Sequence, residues 1–103
     1  MQQTLSKVKT LQKYLQKYGD DAVISQTIAK MMDYKAQKYD EQINKLNKDL
    51  KKYEKKYRKE SAIFYEEFKD GRLGDNMDFI EWSSLYQMRN TLINKKMELE
   101  GVR

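Results

Sequence analysis

The sequence predicts an all-α protein, a coiled coil or helical bundle built around one long central helix. The strongest indication is a stretch from Tyr39 to Phe64, where core-compatible residues recur at alternating steps of four and three. This spacing places them along one seam of a helix, and such a seam needs a partner helix. The residues on the seam are Tyr39, Ile43, Leu46, Leu50, Tyr53, Tyr57 and Phe64, with Glu60 as the single break.

Two features of the composition support this fold class. The 103 residues include no proline and only four glycines, so helix breakers are rare. Charged residues make up 36% and hydrophobic residues 39% of the chain, which leaves little apolar surface for a compact monomer. The length fits one small domain over residues 1–103, and we expect it to gain buried surface by forming a dimer.

The first helix is predicted at about 4–18, because five apolar side chains share one stripe there: Leu5, Val8, Leu11, Leu15 and Tyr18. Gly19 follows where a left-handed residue commonly ends a helix. Asp20 or Asp21 can then cap the next helix. No stop signal interrupts the second helix, which we place at 21–69.

The third helix is predicted at 77–100, after a turn bracketed by Gly71 and Gly74. Asp78 is the expected N-cap, and Glu81 three residues later resembles the second half of a capping box. The simplest assembly folds the two shorter helices back, antiparallel, onto the two ends of the long one. One face of each helix stays uncovered, and a dimer would cover it.

The composition also excludes several kinds of chemistry. Cysteine and histidine are absent, which removes disulfides, thiolate nucleophiles, Cys/His zinc sites and histidine general bases. No apolar run approaches the roughly 18 residues of a membrane span, and no signal core opens the chain. We expect a soluble, cytoplasmic protein that is not an enzyme, holds no cofactor or metal and does not enter a membrane.

Charge is unevenly distributed along the chain. Residues 1–59 contain fifteen Lys/Arg and seven Asp/Glu, a balance of +8, whereas residues 60–103 contain six and nine, a balance of −3. This asymmetry favours electrostatic pairing, either between copies of the chain or with another molecule.

The seam residues and the basic run each allow two interpretations. The tyrosines at 39, 53 and 57 fit either a coiled-coil core or a surface whose hydroxyls contact a partner. Five lysines line one side of the central helix and fit either its solvated face or a sequence-independent contact with nucleic acid: Lys48, Lys52, Lys55, Lys56 and Lys59.

Two further groups lie near the second turn. Six acids there fit helix capping, although oxygen ligands also suit Mg²⁺ or Ca²⁺: Glu66, Glu67, Asp70, Asp75, Asp78 and Glu81. The aromatic segment from Met77 to Met88 holds the only tryptophan, Trp82, together with Leu85. It is either an internal anchor that docks on Tyr57, Phe64 and Phe68, or a patch that faces a partner.

The segment Gly74-Asp75-Asn76-Met77-Asp78-Phe79-Ile80-Glu81-Trp82-Ser83-Ser84-Leu85-Tyr86-Gln87-Met88 resembles the C-terminal portion of small coiled-coil proteins of archaea and bacteria. These proteins are encoded in short operons beside a small toxin-like protein, and the likeness extends over roughly residues 25–100. The resemblance implies an antitoxin-like role in binding a small protein partner, with the segment from Asp78 to Met88 as the family hallmark.

Together these observations predict a non-enzymatic coiled-coil module for protein–protein interaction. Its expected partner or oligomer interface consists of Tyr39, Ile43, Leu46, Leu50, Tyr53, Tyr57, Phe64, Trp82 and Leu85. The alternative function is sequence-independent nucleic-acid binding through the lysines between 45 and 59. A carboxylate enzyme with a metal at the acidic turn is a third class, less favoured by the residues.

Overall fold

The computed structural model describes residues 2–101, and every regular element in that range is an α-helix. The four helices are α1 (Gln2–Tyr18), α2 (Ala22–Tyr57), α3 (Ser61–Lys69) and α4 (Met77–Leu99). This confirms the all-α class. None of these helices has both the length and the hydropathy needed to cross a membrane.

The boundary between α1 and α2 follows the sequence prediction. Gly19 adopts a left-handed conformation with φ 91°, and its amide donates to the Leu15 carbonyl at 2.8 Å. The Asp21 carboxylate then accepts a hydrogen bond from the Ile24 amide at 3.0 Å. Asp21 is therefore the N-cap of α2, since it satisfies one of the free amides of the first turn.

The predicted helix over 21–69 is wrong in one respect, because it is interrupted between Tyr57 and Ser61. Arg58 takes a left-handed conformation with φ 51°, and the Lys59 amide donates to the Glu54 carbonyl at 3.2 Å. This six-residue closure is a common helix ending, usually built on glycine. In an uninterrupted helix Glu60 would lie on the apolar seam; instead it is exposed in extended conformation at the start of α3.

The start of α4 also differs from the prediction. Asn76, and not Asp78, is the N-cap: its side-chain oxygen accepts a hydrogen bond from the Asp78 amide at 2.8 Å. Asparagine is as good an N-cap as aspartate. The Asp78 side chain is thereby free to contact α2.

The contacts divide the chain into two compact units, residues 2–33 and residues 34–101 of the described range, and α2 contributes to both. The C-terminal unit holds the buried apolar residues of the described chain, which are Leu50, Phe64 and Trp82. The N-terminal unit contains α1 and the first part of α2 and has no buried residue.

Within the C-terminal unit, polar pairs link α2 to α4 at three levels. Tyr57 donates to Asp78, the Arg89 guanidinium donates to Asn47 at 2.7 Å, and Lys96 pairs with Asp40 at 2.8 Å. These pairs also explain why Arg89 and Lys96 occupy positions where an apolar seam would carry leucine.

Candidate functional site

The centre of the C-terminal unit is an aromatic stack around Trp82. The Phe64 ring lies parallel to the indole, with centroids 3.8 Å apart, and Tyr53 and Tyr57 each stack at 5.7 Å. Phe79 adds edge contacts to Tyr57 and Phe64. Such aromatic pairs contribute beyond the area they bury. The interpretation of the segment around Trp82 as an internal anchor is thus confirmed.

A buried polar network holds this stack in register. The Trp82 indole Nε1 donates to the Ser61 hydroxyl at 2.9 Å, and that hydroxyl donates to the Glu54 carboxylate at 2.8 Å. The same carboxylate oxygen accepts from the Ser61 amide at 2.9 Å. Glu54 therefore joins the end of α2 to the first residue of α3, and the indole joins both to α4. Ser61 serves as a structural bridge here.

This packing corrects part of the predicted interface. Leu50, Phe64 and Trp82 are buried inside a single copy of the chain, so none of them is on its surface. Leu50 of α2 packs with Phe64 of α3 and Trp82 of α4, so the helices that cover this part of the seam belong to the same chain. Tyr53, Tyr57 and Leu85 are partly buried against this core, whereas Tyr39, Ile43 and Leu46 are half-buried farther along α2.

At one edge of the core, Asp78 holds two side chains from the end of α2. Its carboxylate accepts from Lys56 Nζ at 2.7 Å and from the Tyr57 hydroxyl. The Lys56 hydrogen bond, followed by the Tyr57 one, lowers the pKa of Asp78. The same contacts raise the pKa of Lys56 and of Tyr57. Beside them, partial burial and then a hydrogen bond with Glu81 raise the pKa of Tyr53.

Four of the six acidic residues near the second turn are held in separate ion pairs. Glu67 pairs with Lys59, and Asp70 pairs with Arg72 at 2.7 Å. Over residues 2–101, no three acidic side chains are grouped as metal ligands would be. Glu67 and Asp78 pair with lysines at the end of α2, whereas the capping role predicted for Asp78 falls to Asn76.

The predicted lysine face is partly engaged inside the chain. Lys56 and Lys59 are held by Asp78 and Glu67, and both ion pairs link α2 or its end to a later helix. Lys52 lies 3.8 Å from Asp49 in a local, exposed pair. Lys48 and Lys55 are exposed, with no ion pair among the described residues. The five lysines therefore do not form a uniform row of free cations.

The N-terminal unit exposes most of its large apolar side chains. Leu11, Leu15, Ile24 and Ile28 are half-buried, and seven others are exposed, from 36% for Met32 to 72% for Val23. The exposed set is Leu5, Val8, Tyr14, Tyr18, Val23, Met31 and Met32. The stripe on α1 signalled this surface in the sequence, but the predicted interface was placed on the later seam.

A second apolar surface lies on α4. A shallow groove of about 630 Å³ is lined by Phe68 of α3 and by α4 residues that include Ile80, Ser84, Met88 and Leu92. Ile80 and Met88 remain about half exposed, at 46% and 51%. The sequence pattern predicted that α4 is an anchor, and it did not distinguish this outer surface from the side that carries Trp82.

Comparison with known proteins adds no relative. The chain matches no protein-family model, no curated protein and no solved structure.

Proposed function

We propose that this chain is a non-enzymatic helical module for protein–protein interaction that works as a dimer. In this proposal α4 runs antiparallel to α2, as the pairs Asn47–Arg89 and Asp40–Lys96 favour. The C-terminal unit is the scaffold, since it contains the buried core and the Ser61 network. The N-terminal unit supplies the contact surface.

One observation carries the proposal: the N-terminal unit has no buried residue, although its two helical segments are amphipathic. Short helices are stabilised mostly by packing of their apolar face, and they are marginal in water without it. A unit that exposes Leu5, Val8 and Val23 gains this stabilisation only when another surface covers them.

The occupant we assign is a second copy of the chain. The exposed surface of α1 is flanked by Lys7, Lys9, Lys13 and Lys17 without any acidic residue in the helix. The same chain carries an excess of acids from residue 60 onward. One molecule therefore offers both halves of a complementary pair, which favours association between copies.

Hydrogen exchange on the full-length protein tests this proposal. Amides in residues 2–33 should become protected as protein concentration rises, and sedimentation should show a monomer giving way to a dimer. Amides around Trp82 should be protected at every concentration, since their core is internal, and they serve as the control. A monomer at all concentrations with unprotected residues 2–33 would overturn the proposal.

The resemblance of residues 74–88 adds a more specific proposal, an antitoxin-like role with a small protein partner. Its support is the sequence likeness together with the exposed apolar surfaces. Co-expression with the product of a neighbouring gene, followed by purification of a complex of fixed stoichiometry, tests it. The alternative function, sequence-independent nucleic-acid binding, is supported by the exposed Lys48, Lys52 and Lys55.

A further inference from the structure

We infer that the α4 groove of one copy is the docking site for α1 of a second copy, so that two copies exchange α1 helices. This inference rests on the proposed function, and it names the surface that the N-terminal unit meets. Three properties of the two surfaces support it: their apolar character, their lengths and their charges.

The two surfaces are both apolar and both incompletely covered. On α1, Leu5 and Val8 are exposed at 60% and 54%. In the groove, Ile80 and Met88 are exposed to a similar degree, and Phe68 and Leu92 form part of the floor. An amphipathic helix laid in an apolar groove is a recurring mode of recognition, in which residues three or four apart act as anchors.

Their lengths also match. The stripe on α1 extends from Leu5 to Tyr18, which at 1.5 Å per residue is about 20 Å. The groove extends along α4 from Ile80 to Leu92, about 18 Å by the same rise. The apolar stripe of α1 can therefore lie along the whole length of the α4 groove.

Their charges are opposite. α1 carries four lysines and no acid. On α4, Glu98 lies about two turns after Leu92 and is exposed without an ion pair among the described residues. Glu66 of α3 is exposed and lies two residues before Phe68. Its only ion pair among the described residues is a local one with Lys69 at 3.3 Å. A basic helix is thus drawn to this acidic part of the chain.

Cysteine cross-linking tests the inference directly, because the chain contains no cysteine of its own. A Val8→Cys protein is mixed with a Met88→Cys protein and oxidised. We expect a cross-linked heterodimer in several-fold greater yield than from Val8→Cys mixed with Ile63→Cys. Ile63 lies on α3 outside the groove and is exposed at 53%, close to the 51% of Met88, so it is a matched control.

Substitutions give an independent measurement. Met88→Glu should weaken dimerisation by about tenfold or more, because a charge would be buried in an apolar contact. Ile63→Glu should leave the dimerisation constant within about twofold. Circular dichroism of both variants separates a loss of docking from a loss of folding.

The outcomes separate this inference from the function on which it rests. If the protein dimerises with protected residues 2–33, yet Met88→Glu has no effect and Val8 does not cross-link to Met88, the groove is not the site and the function stands. If the protein is monomeric at all concentrations, both are overturned. A monomer that binds vesicles containing anionic phospholipid would instead assign α1 to a membrane surface, and this too overturns the inference.

Discussion

The Trp82 indole donates to the Ser61 hydroxyl at 2.9 Å. This hydrogen bond joins α4 to the first residue of α3. Ser61 passes the interaction on to Glu54, so one hydroxyl connects three helices. Trp82 and Phe64 are the largest fully buried side chains among the described residues, while this polar chain fixes which rings meet. Buried polar groups that are fully paired specify a single arrangement in this way.

Ser61→Ala should destabilise the C-terminal unit by about 1–3 kcal/mol, because it leaves the buried indole N–H without an acceptor. Urea unfolding followed by Trp82 fluorescence measures the change. Ser84→Ala, the same substitution at an exposed position of α4, should stay within about 0.5 kcal/mol of the unmodified chain. Equal effects of the two substitutions would contradict the bridging role of Ser61.

Phe64→Ala should cost about 3–5 kcal/mol, because the ring is fully buried and stacked on Trp82. The loss is a large fraction of the stability of a small domain, so we expect a lower melting temperature and a broadened thermal transition. Ile63→Ala, next to it but exposed, is the control and should have a small effect. A melting temperature unchanged by Phe64→Ala would place the core elsewhere.

Asp78→Asn should reduce stability at neutral pH and have less effect in acid. Because the pKa of Asp78 is lowered in the folded chain, its ionised form contributes stability above its unfolded pKa of about 4. That contribution is lost as pH falls through the folded pKa, where the protonated Asp78 resembles asparagine. Urea unfolding at pH 7 and near pH 3 measures the convergence, with Asp75→Asn as control. The same difference in unfolding free energy between the unmodified chain and Asp78→Asn at both pH values would contradict this contribution of the ionised carboxylate.

Arg58→Gly should stabilise the chain by up to about 1 kcal/mol, because glycine accepts the left-handed backbone at the end of α2 without steric cost. Lys45→Gly, in the interior of α2, should instead destabilise by about 1 kcal/mol. Thermal melts of both variants check the opposite signs. Destabilisation by Arg58→Gly would mean that the arginine side chain has a role that outweighs its strain.

Changing Lys48, Lys52, Lys55 and Lys59 together to Gln tests the nucleic-acid alternative. If that alternative is correct, the unmodified chain is retained on DNA or RNA at physiological salt, its affinity falls steeply with salt, and the fourfold variant is not retained. Our proposed function expects no such retention by either protein. Retention of the unmodified chain, abolished in the variant, would favour the alternative over the interaction module.

Much of the fold was predictable from local sequence signals. Gly19 and Asp21 marked the first boundary, and the seam from Tyr39 to Phe64 marked the residues that pack between helices. The break at Arg58 was not predicted, because the left-handed residue there is an arginine and the sequence has no glycine or proline near it that would indicate a helix end. Glu60 was the available signal, since it was the one charged residue on an apolar seam.

The predicted site was harder to place, because an apolar seam does not say which helix covers it. Phe64 and Trp82 lie on a regular pattern that fits a second chain as well as α3 and α4. Only the turn at Arg58, which redirects the chain, decides that the partner is internal. The apolar stripe on α1 was visible in the sequence. That no other helix of the described chain buries it depends on tertiary packing, which a local sequence pattern does not specify.

The position of that turn also has a consequence for how the protein folds. The rings stacked on Trp82 are Tyr53, Tyr57 and Phe64, which all precede it by fewer than 30 residues, so the core closes through short loops. Domains dominated by such local contacts fold within microseconds to milliseconds. We therefore expect the core to assemble rapidly in each molecule, with pairing of copies as a later, slower step that depends on their concentration.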